Sequence, residues 1–135
     1  MAIGVISDTH GLLRTEVKNA LQGSDLILHA GDVGSAEVLR DLRCIAPVVV
    51  VRGNVDTAPW ARSLRLQEIA DFDKKTTSYI LHRIADLDLK PKIAGFDAVI
   101  FGHSHQPTIE WRDGVLFFNP GSAGPAAIFT AGDRR

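Results

Sequence analysis

Short apolar runs recur along the 135-residue chain, and most stop abruptly at a polar loop. Ile3 to Ser7 ends in Asp8-Thr9-His10-Gly11, Leu26 to Ala30 ends in Gly31-Asp32-Val33-Gly34, and Val48 to Val51 ends in Arg52-Gly53-Asn54. Each run reads as a buried strand that stops at a loop. After the first, Leu13, Val17, Ala20 and Leu21 recur on one face at helical spacing, and Ser35 is placed to N-cap a second helix of about two turns before Cys44. The order strand, helix, strand, helix, strand implies right-handed crossovers and a parallel sheet buried on both faces. All these polar loops then lie beyond the carboxyl ends of the strands, the edge where open α/β sheets bind ligands.

The second half is richer in strand patterns. Leu64 to Ile69 alternates imperfectly, and the charged segment Asp71-Phe72-Asp73-Lys74-Lys75 reads as a turn leading into Thr76 to Leu81, a hairpin with His82 at its end. Pro91 suits the first turn of a short helix and Gly95 its close. Ala98 to Phe101 is another apolar strand, followed at once by Gly102-His103-Ser104-His105. Thr108 to Trp111 and Val115 to Phe118 flank the turn dipeptide Asp113-Gly114, and Asn119-Pro120-Gly121-Ser122 ends that pair. No repeat or linker divides the chain, so residues 1–135 read as a single domain.

Composition narrows the class only slightly. With 45% hydrophobic and 23% charged residues the chain has the makings of one globular core. A formal net charge of -1 supplies no bulk positive charge for nucleic acid or an anionic membrane, and neither is indicated as a partner. No apolar stretch reaches a membrane-spanning length, and the N-terminus enters a strand-like run at Ile3 without signal-peptide features. The single cysteine, Cys44, lies among Leu42, Ile45 and Val48 and is expected to be a small buried hydrophobe. A reducing, cytoplasmic location fits these features best.

The chemistry is concentrated at the ends of the strands. Asp8, His10, Asp32, Asn54, His82, His103 and His105 bring carboxylate, amide and imidazole donors to those positions. Hard oxygen donors mixed with imidazole suit borderline divalent ions such as manganese, iron, zinc or nickel; calcium would prefer oxygens alone and structural zinc thiolates. One such histidine alone would be an ordinary polar residue, but core packing has no reason to repeat the placement. His29 is the exception, since it lies inside an apolar run, and a structural or supporting role is expected for it. Asp8 and Asp32 could instead cap helices, and Asn54 and Asp56 could be turn residues, roles compatible with ligation. The glycines match neither a Walker loop nor a dinucleotide fingerprint.

Taken in order, Asp8-x-His10, Gly31-Asp32, Gly53-Asn54-x-Asp56, His82 and Gly102-His103-x-His105 resemble the motifs of the calcineurin-like metallophosphoesterases. The likeness extends from Ile3 to about Ser122. It is nearest to the small single-domain bacterial and archaeal phosphodiesterases, a branch that includes the retromer subunit Vps29. The resemblance implies an α/β fold, a sandwich of two mixed sheets flanked by helices in α/β/β/α layers. It implies two divalent ions, manganese foremost, with Asp8, His10 and His105 on the first, Asn54, His82 and His103 on the second, and Asp32 bridging. Asp32, Asn54 and His103 would act most directly on the reacting phosphate of a small phosphate-ester substrate. A bridging water or hydroxide would attack phosphorus without a covalent enzyme intermediate. A Vps29-like interaction scaffold with weak or no catalysis is the rival from another class, and the complete set of seven ligands argues against it.

Two departures from the family pattern matter. Val55 stands where many members of the wider superfamily carry a histidine thought to protonate the leaving group, so substrates with good leaving groups, such as aryl diesters, should be favoured. After Ser122 the chain is brief, so the terminal strand is expected to be short, and an exposed edge there would suit a homodimer. Arg83 follows His82 where relatives often carry glycine or aspartate, and either it or Arg52 could contact substrate or simply form an ion pair. Asp56 could orient a ligand residue, while Trp60, Trp111, Phe117 and Phe118 are expected to pack against the sheet.

Overall fold

Alternating apolar residues build two sheets that face each other. The computed structural model describes residues 1–72 and 74–122, together with the backbone of 127–130. The first sheet holds β1 (Ala2–Ile6), β2 (Leu26–His29) and β3 (Val48–Val50) in parallel, and β9 (Ala127–Thr130) pairs antiparallel with β1. Its strand order is β3-β2-β1-β9, which leaves β1 flanked on both sides. Helices α1 (Thr15–Leu21) and α2 (Ala36–Arg43) make the crossovers. The second sheet has the order β4-β5-β6-β8-β7, from β4 (Gln67–Phe72), β5 (Thr76–Leu81), β6 (Ala98–Ile100), β7 (Thr108–Arg112) and β8 (Val115–Asn119). A short helix α3 (Pro91–Ala94) precedes β6 and closes at Gly95, whose φ of 89° is left-handed.

Because side chains alternate along each strand, every strand serves two layers. Ile3, Val5, Leu28, Ile80, Ile100 and Phe118 meet between the sheets. Ile6, Ile27 and Val50 face the other way and pack against Val17, Leu21, Val38, Leu39 and Leu42 of the helices. Tyr79, Leu81, Val99 and Phe117 form a third cluster with Leu87, Leu89 and Phe96 on the outer face of the second sheet. Each fully buried aliphatic side chain contributes roughly 1.5–3 kcal/mol relative to exposure, so the sheets form a rigid base for the loops at their ends. The layers match the expected α/β sandwich of two mixed sheets. Among the described residues no helix is long and apolar enough to cross a membrane.

Several local expectations need correction. Leu64 packs against the helical cluster and Leu66 is exposed, so the strand begins only at Gln67. The reason is a 3₁₀ turn at Pro59–Ala61, whose chain continues into a loop held by Arg52 N–H donating to Arg65 O at 2.8 Å. Asp71 and Phe72 pair with Thr77 and Thr76 and so belong to β4 rather than to the turn; Asp73 lies outside the described residues. Ala20 is exposed. Cys44 is exposed as well: it lies two positions beyond the buried Leu42, which on a helix is the opposite side. Ser35 occupies the N-cap of α2 with extended backbone but makes no side-chain cap bond.

Candidate metal centre

The ends of β1, β2 and β3 are laced together by backbone hydrogen bonds. Asp8 N–H donates to Gly31 O at 2.9 Å, His10 N–H to Asp32 O at 3.0 Å and Gly11 N–H to Val33 O at 2.8 Å. Asp56, buried at 3% exposure, accepts from Gly53 N–H at 2.9 Å, Gly34 N–H at 3.0 Å and Val33 N–H at 3.2 Å. It thereby ties the loop carrying Asp32 to the loop carrying Asn54, the supporting role expected for it. On the second sheet, Gly102 N–H donates to His82 O at 2.9 Å and joins the two histidine-bearing loops.

Backbone strain marks the same loops. Among the described non-glycine residues, positive φ occurs at Asp8, His10, Asp32, His103 and His105, and otherwise at Lys74 and Asp113 in hairpin turns. Such angles cost of order 1–3 kcal/mol each and persist where the surroundings over-determine them, commonly at functional sites. Five of the seven expected ligands are held in this way. Neither Asp8 nor Asp32 caps a helix, since Arg14 and Ser35 occupy those positions.

These loops bring the side chains into two adjoining groups. Asp8, His10 and His105 place ligand-capable atoms within 4.8 Å of one another, and so do Asp32, His82 and His103. Within the first group, His105 Nε2 is 3.2 Å and His10 Nε2 3.8 Å from Asp8 Oδ1, while the two Nε2 atoms are 3.4 Å apart. In the second, His82 Nε2 lies 3.2 Å from Asp32 Oδ2. Asp32 Oδ2 is also 3.9 Å from His10 Nε2, and Asp8 Oδ1 is 4.0 Å from His82 Nε2, so the carboxylates stand between the groups. Asn54 is exposed on the turn after β3 and lines a cleft with His82. It is flanked by Gly53, whose missing side chain leaves room for Asp32, and by Val55, whose N–H donates to Asp32 Oδ1 at 3.0 Å.

The donor atoms fit a cation. His82 Nδ1 lies 2.7 Å from Ala30 O, and a carbonyl can only accept, so Nδ1 carries the proton. In the neutral ring Nε2 then turns a lone pair toward the Asp32 carboxylate. His82 Nε2 and Asp8 Oδ1 are both buried without a hydrogen-bond partner. Unpaired buried acceptors converging on one point are costly unless a positive ion sits among them. The remaining acceptor capacity is spoken for: Asp8 Oδ2 accepts from Ser7 Oγ at 2.5 Å and from His103 N–H at 3.1 Å. Such outer partners orient ligand atoms toward a metal.

His29 plays the structural role expected of it. It is fully buried, its Nδ1 accepts from Gly31 N–H at 3.1 Å, and its Nε2 lies 3.0 Å from Thr9 Oγ1. Thr9 Oγ1 donates to Val33 O at 2.8 Å, so the proton between Thr9 and His29 comes from Nε2. Burial lowers the His29 pKa to about 4, and the ring works as a neutral brace between the first two loops. Two supporting residues escaped the sequence reading. Ser7 anchors Asp8, and fully buried Asn119 donates to Gly102 O at 3.1 Å and Ser104 Oγ at 3.2 Å while accepting from Gly121 N–H at 2.8 Å. A polar residue closing an apolar strand, as Asn119 closes Phe117-Phe118, was the available signal. Gly102 is required by close approach, since a Cβ there would overlap Ser7 Oγ and Asp8 Oδ2.

A family model described as the calcineurin-like phosphoesterase superfamily domain matches residues 1–132. The chain belongs to this superfamily. A relative described as a probable metallophosphoesterase of Methanothermobacter thermautotrophicus is 37% identical over 133 residues, covering 90% of this chain and 77% of the relative. The solved structure of a protein described as a novel archaeal phosphodiesterase superposes with a TM-score of 0.81 at 25% identity, over 100% of this chain and 96% of that one. Vps29 from Entamoeba histolytica matches with a TM-score of 0.77 at 23% identity, over 91% and 75% of the two chains, a likeness of fold.

Proposed function

We propose that this calcineurin-like protein is a metal-dependent phosphodiesterase that hydrolyses small phosphate esters by direct attack of water on phosphorus. One observation carries the reading: Asp8 Oδ1 and His82 Nε2, both buried and unpaired, converge at the junction of two clusters of carboxylate and imidazole donors. Asp8, His10 and His105 would hold one divalent ion, Asn54, His82 and His103 the other, and Asp32 both. The position of Asp32 Oδ2, 3.2 Å from His82 Nε2 and 3.9 Å from His10 Nε2, supports the shared role. Two ions, when bound, would supply Lewis-acid polarisation of the phosphoryl oxygens and a water of lowered pKa. Manganese is the first choice by the family resemblance, and the mixed oxygen and imidazole donors suit iron, zinc or nickel as well.

The protein's own part is to fix that geometry. Strained backbone, the Ser7 and Val55 hydrogen bonds and the His29 brace hold Asp8 and Asp32 in place before substrate arrives, so no reorganisation is needed during reaction. Val55, 48% exposed, carries no proton to give to a departing oxygen. Esters of acidic alcohols and phenols are therefore the favoured substrates. A cytoplasmic site of action fits a chain with one cysteine.

The test is hydrolysis of bis-p-nitrophenyl phosphate by chelator-stripped protein, with and without added manganese. Metal-dependent turnover is expected. A folded, metal-binding protein with no turnover on any borderline divalent ion would sink the enzyme reading and favour an interaction scaffold.

A further inference from the structure

Beside the second ligand group the fold leaves a cleft of about 260 Å³ whose walls include Asn54, His82, Arg52, Arg83, Gln67 and Asp86. The two arginines adjoin the ligands in sequence: Arg52 precedes Gly53-Asn54 after β3, and Arg83 follows His82 after β5. The same loops that present Asn54 and His82 therefore carry two permanent positive charges into one cleft.

Their compensation within the cleft is partial. The carboxylate there is Asp86, which forms a solvent-exposed ion pair with Arg83 at 3.6 Å, too long for a hydrogen bond and weakly held at an exposed position. Among the described residues the side chain of Arg52 has no acidic partner. Guanidinium groups offer planar, paired N–H donors that match phosphate oxygens, and they attract anions most strongly where low-dielectric walls focus the field. Leu66 and Leu81 supply apolar wall in the same cleft.

We propose that Arg52 and Arg83 form a subsite for a second phosphate of the substrate, so that the preferred ester carries one phosphoryl group at the metal centre and another in this cleft. The inference rests on the phosphoesterase reading and deepens it. The reaction is unchanged; the cleft selects among substrates.

Two readouts separate the cleft from the chemistry. In calorimetry on manganese-loaded protein, thymidine bisphosphate, phosphorylated on both sugar hydroxyls, is compared with the monophosphate. The bisphosphate is expected to bind more tightly, and Arg52→Gln and Arg83→Gln each to weaken it about tenfold or more, the worth of one charge-assisted hydrogen bond. Arg112→Gln, on exposed β7, is expected to change nothing. In kinetics with manganese, a thymidine p-nitrophenyl phosphodiester bearing a second phosphate is expected to have a lower KM than the same diester without it, an advantage lost in the arginine variants.

Bisphosphate binding that is equal to monophosphate binding, or unchanged in both arginine variants, would overturn the subsite. If bis-p-nitrophenyl phosphate were turned over normally beside that result, the phosphoesterase reading would stand alone. Arginine-dependent bisphosphate binding without turnover of any ester would instead keep the subsite and remove the catalytic reading.

Discussion

The two candidate ligand groups use the same chemistry but are built to different degrees of rigidity. In the group of Asp8, His10 and His105, both imidazoles are exposed, at 42% and 46% of their side-chain surface. In the group of Asp32, His82 and His103, His103 is exposed too, but His82 is only 5% exposed and its far nitrogen is fastened to Ala30 O. The carboxylates are alike, each with one oxygen anchored and one facing the junction. Immobilised ligands lose less entropy on binding, so preorganised groups hold ions more tightly. The second group should therefore bind its ion first and release it last.

The harshest way to break this comparison is to remove what both groups share. Asp32→Asn should lower kcat on the order of a thousandfold or more while leaving the protein folded, because the shared charge is lost. Full activity in that variant would remove the bridging role. A sharper cut uses one histidine from each group. His82→Ala should weaken the tighter step of a calorimetric manganese titration beyond the roughly 10–100-fold cost of losing a supporting partner, and His10→Ala should weaken the looser step. The reverse pattern would contradict the ranking of the two groups.

His29 braces the loops that carry Asp8 and Asp32, so its titration touches both groups at once. The folded pKa of about 4 lies below the 6.5 of an ordinary solvated histidine, so the unfolded chain binds more protons between those values. Stability is thus fully present above pH 6.5 and declines as pH falls toward 4, by roughly 3 kcal/mol. Urea unfolding of metal-stripped protein across that range should show the slope, and His29→Gln should flatten it. A smaller effect is expected from Ser7→Ala, which frees one oxygen of Asp8: metal affinity of the first group should fall roughly 10–100-fold with little change in stability. Cys44→Ser, at an exposed position, should leave turnover and melting temperature unchanged.

What the sequence displayed of this architecture was its regular part. Apolar strands ending at Asp8, Asp32, His82 and His103 were legible because burial on both faces leaves an unbroken apolar run and the chemistry begins where it stops. The left-handed close at Gly95 and the turn at Asp113-Gly114 were legible from residue type. Less visible were features set by neighbours distant in sequence. Leu64 alternates like a strand residue, yet a 3₁₀ turn sends it to the helical layer. Cys44 sits among apolar residues in sequence, but helical rotation turns it to solvent. The roles of Ser7 and Asn119 depend on hydrogen bonds to other loops, which no local pattern records.

The most direct measurement is anomalous diffraction from a crystal of the protein grown with manganese. Two peaks are expected, one against Asp8, His10 and His105 and one against Asn54, His82 and His103, with the carboxylate of Asp32 between them and higher occupancy at the second at limiting metal. A single peak, or none among these side chains, would contradict the two-ion centre.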